Sequence, residues 1–210
     1  MSITTRPAPA RTDDTTSRTR GTARAARRTG WFVAGGAAIW AATMALYSPQ
    51  DTGTFAQTVN DVGALPFQAS LFALVTLQLR TAATGTSKVA RGMLRTEYGL
   101  LTLATLWTVL HGLFPAFRDD AWLAVLDAFW PLSMLGMFII GVKIAVAGRW
   151  RGAARIWPLV AESWAVVTVP TFAVLGSPVA DRVGAAHLLV GYTVLGLILL
   201  LRPHLTRAAS

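Results

Sequence analysis

Six long apolar stretches alternate along the chain with short segments that carry most of the charge. The stretches cover residues 31–47, 64–79, 98–114, 122–147, 157–175 and 183–201. A helix needs about 20 apolar residues to cross the roughly 30 Å hydrocarbon core of a bilayer, and the stretches are close to that length. The pattern therefore predicts an all-α protein, a polytopic membrane bundle of six transmembrane helices.

The composition of the chain agrees with this prediction. Of its 210 residues, 53% are hydrophobic and only 14% are charged, whereas soluble domains carry about 25% charged residues. A soluble domain with these apolar stretches would expose far too much apolar surface. The chain contains no cysteine, which excludes disulfides, iron–sulfur clusters, thiolate zinc sites and cysteine nucleophiles.

The basic residues predict how the helices are oriented. Sixteen of the 19 lie in the first 29 residues and in the segments 80–95, 149–155 and 202–207, whereas the alternate loops hold only Arg118 and Arg182. Because basic loops stay on the cytoplasmic side, we predict six spans with both termini in the cytoplasm. This arrangement explains most of the net charge of +9, so we predict no nucleic-acid partner.

The chain is predicted to have three parts. Residues 1–29 are rich in Thr, Arg and Ala and lack a cluster of large apolar residues, which is typical of a disordered, basic cytoplasmic tail. Residues 30–203 form the six-helix transmembrane domain, and residues 204–210 form a short cytoplasmic tail. The seven arginines of the first part are expected to attract anionic lipids of the inner leaflet.

Three ionisable residues lie near the outer ends of the predicted helices. Each ionisable side chain within a span costs about 2.5–3.5 kcal/mol on insertion scales, so each one requires a reason. His111, Asp127 and His187 lie at similar depths in three different helices. We predict that they line a small ligand-binding cavity together with Trp130 and Tyr192. The alternative is interhelical hydrogen bonding near the membrane surface.

The same residues raise the question of a cofactor. We predict none, but two possibilities remain open. His111 and His187 are placed for bis-imidazole ligation of haem, and with Asp127 they offer an open zinc site of two histidines and one carboxylate.

A second pair of charged residues lies near the cytoplasmic ends of two consecutive predicted helices. Lys143 and Glu162 have opposite charges and lie at similar depth. Each charge alone would be costly in a poorly solvated site, so we predict an intramembrane ion pair. Such a pair either pins the two helices together or serves as an ion or proton relay.

The first predicted helix carries small residues at a spacing of three or four. They are Ala34, Ala38, Ala41, Ala42 and Ala45. Small residues allow helices to approach closely. The stripe therefore predicts internal packing or a docking face for another membrane protein.

Two segments suggest a resemblance. Residues 130–136 read WPLSMLG and residues 148–152 read GRWRG. Together they resemble a pattern in uncharacterised multi-pass membrane proteins of high-GC Gram-positive bacteria, over the fourth to sixth predicted helices. The resemblance implies a bacterial cell (plasma) membrane location and no particular activity. In outline the chain is also similar to the substrate-binding subunits of energy-coupling-factor vitamin transporters.

Three classes of function remain open at this point. We favour a non-enzymatic membrane component that binds a small molecule or a partner protein. The first alternative is a transporter subunit with an outward-facing polar cavity. The second is a membrane redox carrier or metal-dependent enzyme that uses His111, Asp127 and His187.

Overall fold

The computed structural model describes residues 12–48 and 53–207 of the chain. Within these ranges the secondary structure is helical and contains no β-strand, which confirms the predicted all-α class. The helices are α1 Thr12–Leu46, α2 Thr54–Arg80, α3 Lys88–Leu113, α4 Ala121–Asp127, α5 Phe129–Ala147, α6 Gly152–Glu162, α7 Trp164–Leu175, α8 Val179–Leu188 and α9 Val194–Leu201.

Five helical segments of the described chain are long and apolar enough to cross a membrane. They are Thr19–Leu46, Thr54–Arg80, Ala121–Ala147, Gly152–Leu175 and Val179–Leu201. The remaining long helix is α3, whose first ten positions include four charged residues, Lys88, Arg91, Arg95 and Glu97. The bundle is therefore compatible with an integral membrane protein of five or six spans.

Helix α1 begins much earlier than the apolar pattern predicts. It starts at Thr12, so it extends through residues for which the composition predicts disorder; residues 1–11 lie outside the described chain. Ala26 of this extension is fully buried in the core, and the Thr19 carbonyl accepts a hydrogen bond of 3.1 Å from Arg207 Nη2. Composition alone does not register these tertiary partners, which stabilise the helix beyond the apolar stretch.

Helices α2 and α6 also begin before their predicted starts, which changes the position of two prolines. If the helices began with the apolar stretches at residues 64 and 157, Pro66 and Pro158 would lie in a first turn, where a missing N–H costs little. The structure places both inside their helices. Near the C-terminal end of the described chain, Pro203–Thr206 forms a 3₁₀ turn, and the Leu205 carbonyl accepts a 2.9 Å hydrogen bond from the Arg151 N–H.

The last three predicted helices are each interrupted. Helix α4 ends at Asp127 and α5 begins at Phe129. Pro131 has no N–H to donate to the carbonyl of Asp127, four residues earlier, which favours a break at this point. The segment Leu189–Thr193, between α8 and α9, is a π-helix. The indole N–H of Trp157 lies 3.2 Å and 3.0 Å from the carbonyls of Val190 and Gly191 in this segment, so it stabilises the wider turn.

Helix α1 packs against α2, α8 and α9 at the centre of the bundle. Glycines bring the backbones close together at two crossings. A Cβ atom on Gly30 would lie 2.4 Å from the Gly196 carbonyl oxygen of α9, and one on Gly36 would lie 2.8 Å from the Cα of Phe67 in α2. Of the alanine stripe, Ala34 and Ala41 are buried, so part of the stripe serves internal packing.

This packing predicts that small additions at the crossing destabilise the bundle. In Gly196→Ala the new Cβ would lie 2.5 Å from the backbone nitrogen of Ala34, and overpacking of this kind costs about 1–3 kcal/mol. Gly35→Ala is the matched control, because its Cβ would meet nothing within 4 Å. Thermal unfolding in detergent should show a lower melting temperature for Gly196→Ala alone. Equal melting temperatures would contradict the close crossing.

Candidate functional site

A cavity of about 440 Å³ lies at one end of the bundle, where α2 begins and α3 ends. Its polar lining consists of Gln57, Asn60, Asp61, Thr108, His111 and Asp127. Its aromatic lining consists of Trp40, Trp107, Trp130, Trp164 and Phe172. The volume lies within the range of roughly 300–1,000 Å³ found for small-molecule sites.

Helical periodicity places the polar residues on shared faces. In α2, Gln57, Asn60 and Asp61 are three and four positions apart, so they lie on one face of the first turns. In α3, Trp107 and His111 are likewise four apart and lie in the last turns. The two helices run in opposite directions, which brings these faces together at the same end of the bundle.

A carboxylate–imidazole pair joins the two helices within the cavity. His111 Nδ1 lies 2.6 Å from Asp61 Oδ2, and the two side chains are only 20% and 15% exposed. A carboxylate accepts hydrogen bonds, so His111 donates from Nδ1 and its tautomer is fixed. The Trp107 ring stacks on the imidazole with centroids 4.6 Å apart and an interplanar angle of 15°. The imidazole is therefore held from two directions.

Arg118 supports this pair from outside the cavity lining. Its Nε donates to the His111 carbonyl at 2.7 Å, and its two terminal nitrogens donate to Gln57 Oε1 at 2.9 Å and Thr58 Oγ1 at 2.8 Å. The guanidinium thus links the end of α3 to the start of α2. Its role is to fix the relative position of the two helix ends.

Asp127 is the second carboxylate of the cavity, and it is differently placed. Its side chain is exposed at the break between α4 and α5 and lies close enough to His111 for their charges to interact. Within the described residues its carboxylate has neither a hydrogen-bond donor nor an ion-pair partner. Asp127 is therefore available to a ligand, whereas Asp61 is engaged by His111.

Three indole rings form a cluster on the apolar side of the cavity. The ring centroids of Trp40, Trp130 and Trp164 are 5.2–5.8 Å apart. The indole N–H of Trp40 donates to Asn60 Oδ1 at 3.3 Å, and that of Trp164 donates to the Gly184 carbonyl at 3.0 Å. These hydrogen bonds fix the two rings, so this wall of the cavity is preorganised.

The structure brings together some of the predicted site residues and separates others. His111, Asp127 and Trp130 line the cavity, whereas His187 and Tyr192 do not. His187 Nε2 lies 3.1 Å from Ser163 Oγ instead. Tyr192 is buried in the core, with its ring centroid 4.8 Å from that of Phe67.

The position of His187 bears on the two cofactor possibilities. Haem would need His111 and His187 on facing helices, and zinc would need Asp127 beside both. The cavity brings only His111 and Asp127 together. Among the described residues, no group of three or more His, Cys, Asp or Glu side chains is placed to hold a metal ion.

The predicted Lys143–Glu162 ion pair is not formed. Glu162 is 1% exposed and accepts a 3.3 Å hydrogen bond from Gln78 Nε2, while Lys143 is exposed on α5. Gly141 is the residue of α5 that faces the carboxyl, because a Cβ there would lie 2.6 Å from Glu162 Oε2. Residues two apart on a helix point in different directions, so Lys143 points away from Glu162.

Sequence reasoning missed several cavity residues, and Asp61 is the most important. The apolar pattern starts the second helix at residue 64, which leaves Asp61 in a predicted loop, whereas α2 begins at Thr54. The spacing of Gln57, Asn60, Asp61 and Ala64 was a usable signal, since it follows the helical period. Trp40, Trp107 and Trp164 carried no comparable signal, because tryptophan is common in membrane helices.

The comparisons with known proteins do not add to this picture. No family model matches the chain, and neither a curated protein nor a solved structure is significantly similar to it. The class defined by the fold and the site is therefore a helical bundle with membrane-length apolar helices and a mixed aromatic and acidic cavity at one end.

The contacts described above predict which charged pairs are energetically coupled. Asp61→Ala and His111→Ala should each lower the free energy of unfolding, and the double variant should lose less than the sum. We expect a coupling of about 0.5–3 kcal/mol, as for residues in direct contact. The measurement is a double-mutant cycle of thermal unfolding in detergent.

The pair Lys143→Ala and Glu162→Gln is the matched control for this cycle. Its two effects should add to within about 0.5 kcal/mol, because the side chains do not meet. Coupling in this control pair, or additivity between Asp61 and His111, would contradict the observed contacts.

Proposed function

We propose that the protein is an integral component of a bacterial plasma membrane. It binds a small molecule, without transforming it, in the cavity where α2 begins and α3 ends. The topology we propose is six spans with both termini in the cytoplasm. The observation that carries the proposal is the cavity itself, because it combines a fixed aromatic wall with a carboxylate, Asp127, that has no partner among the described residues.

The outer surface of the bundle supports insertion into a bilayer. Many large apolar side chains are exposed, among them Trp31 at 68%, Leu46 at 77% and Val174 at 79%. A continuous apolar surface of this kind would drive aggregation in water. In a bilayer the same side chains contact lipid, and the apolar part of α3 completes the sixth span.

The arrangement of functional groups favours binding over catalysis. His111 and Asp61 resemble the base and the orienting residue of a hydrolase, but such a site also needs a nucleophile next to the imidazole. Among the described residues, Thr108 is the only one in the cavity lining that bears a hydroxyl group. Its oxygen donates to the Ala104 carbonyl at 3.1 Å and accepts from Gln68 Nε2 at 2.7 Å, so it is occupied in packing α2 against α3.

The interrupted helices favour transport as a second candidate function. Discontinuous helices form the substrate sites of many secondary transporters. Here Asp127 and Trp130 line the cavity on either side of the break between α4 and α5. Accumulation of a bound compound in sealed vesicles would distinguish transport from binding alone.

The absence of cysteine from the chain allows a clean test of topology. Ala116→Cys lies in the exposed turn between α3 and α4, and Thr86→Cys lies in the exposed loop between α2 and α3. A membrane-impermeant maleimide added to intact spheroplasts should label the first variant only. The second variant should be labelled after permeabilisation. The reverse pattern would overturn the proposed orientation.

A second pair of cysteine variants tests whether small molecules reach the cavity. Ala165 lines it, whereas Ala161, one turn earlier, is fully buried in the core. A small water-soluble thiol reagent should modify Ala165→Cys at least about tenfold faster than Ala161→Cys, because buried thiols are inert. Equal rates would mean that the cavity does not admit small molecules.

A further inference from the structure

We propose that the ligand of this cavity is a hydrophobic organic cation, either a quaternary ammonium ion or a protonated amine. This inference rests on the proposed function, that the cavity binds a small molecule, and it specifies the chemical class of that molecule. Three properties of the lining lead to it: the indole rings, the balance of charge and the shortage of ligands for an inorganic ion.

The indole rings are the first property. Four tryptophans line the cavity, and tryptophan is the side chain that attracts cations most strongly through its ring quadrupole. Trp40 and Trp164 are fixed by hydrogen bonds from their indole nitrogens. Rings that are already held in place need little reorganisation when a ligand binds, so their attraction for a cation is realised at low entropic cost.

The charge balance is the second property. Of the residues that the structure describes, two carboxylates and one imidazole line the cavity, and no lysine or arginine does. His111 engages Asp61 at 2.6 Å, which leaves Asp127 without a counterion among the described residues. This carboxylate would repel an anionic ligand, because like charges repel each other. A cationic ligand would provide the missing partner.

Arg118 is a fixed positive charge that contacts the cavity residue Gln57, and its action falls on Asp61 rather than on Asp127. Its guanidinium donates to oxygens of His111, Gln57 and Thr58 at 2.7–2.9 Å and lies outside the cavity lining. It acts electrostatically on Asp61. The positive charge of Arg118 therefore acts on Asp61, and the side of the cavity formed by Asp127 and Trp130 remains acidic and aromatic.

The shortage of ligands for an inorganic cation is the third property. Hard metal ions need about six oxygen ligands, and the described residues offer no cluster of three or more suitable side chains. Much of the lining is apolar and includes Met44, Pro131, Met134 and Val169. Such a surface suits a cation that carries its own hydrocarbon groups.

A set of three probes of similar size tests the inference. Benzyltrimethylammonium is the cation, neopentylbenzene is its neutral isostere, and phenylacetate is an anion of comparable size. Binding is measured as protection of Ala165→Cys against N-ethylmaleimide, with the otherwise unaltered protein in lipid nanodiscs. We expect the cation to protect at concentrations at least about tenfold below those of the other two probes, as expected for a desolvated cation–π site with a carboxylate.

Variants in the same background identify the residues responsible. Asp127→Asn and Trp130→Leu should each weaken protection by the cation about tenfold, and Asp127→Glu should retain it. Asp119→Asn and Trp122→Leu are matched controls, because both residues are exposed and lie outside the cavity lining. Unchanged helical content by circular dichroism shows that a loss of binding is not a loss of folding.

The outcomes separate the inference from the proposed function. Protection by the cation alone, lost in Asp127→Asn and Trp130→Leu, supports both. Equal or stronger protection by the neutral or anionic probe, or cation binding unaffected by Asp127→Asn, overturns the inference but leaves a small-molecule site. No protection by any probe, with Ala165→Cys as slow to react as Ala161→Cys, overturns both.

Discussion

The close approach of α1 to its neighbours is the constraint on which the arrangement of the other helices depends. Helices in lipid gain little from burying apolar surface, so association relies on van der Waals contact and favours small residues at the interface. Gly30 meets Gly196 of α9, and Gly36 meets Phe67 of α2, with no space for a side chain at either crossing. Because both neighbours are held at backbone contact, α1 sets their positions through most of the bundle.

The cavity follows from a change in side-chain size along the same helix. Beyond the last glycine, α1 carries Trp40 and Met44, which line the cavity. Trp40 reaches Phe67 of α2 at a centroid distance of 5.0 Å and Trp164 of α7 at 5.2 Å. These large side chains of α1 thus stand in the wall of the cavity, beyond the glycines that bring its backbone against α2 and α9.

The sequence predicts the helical class well, but only half of the site, for a physical reason. Apolar length and loop charge indicate how deep a residue lies in the membrane. His111 and Asp127 share such a depth, and both line the cavity. Rotation around the helix axis is set by packing, which depth does not report. Lys143 and Glu162 share a depth but point apart, because Gly141 faces the carboxyl. Likewise, His187 lies beside the π-helical segment and turns towards Ser163.

The carboxyl groups of the bundle also differ in how their burial is offset. A buried polar group is costly unless it is hydrogen-bonded, and three of the four carboxyls discussed here have a donor on another helix. Ser133 donates to Glu97 at 2.6 Å, Gln78 donates to Glu162, and His111 donates to Asp61. Asp127 differs from these three: it is exposed at a helix break beside the indole rings and has no such donor among the described residues. Within the described residues, the other three carboxyls thus have partners on other helices, whereas Asp127 lines the cavity and is accessible to a counterion from outside the chain.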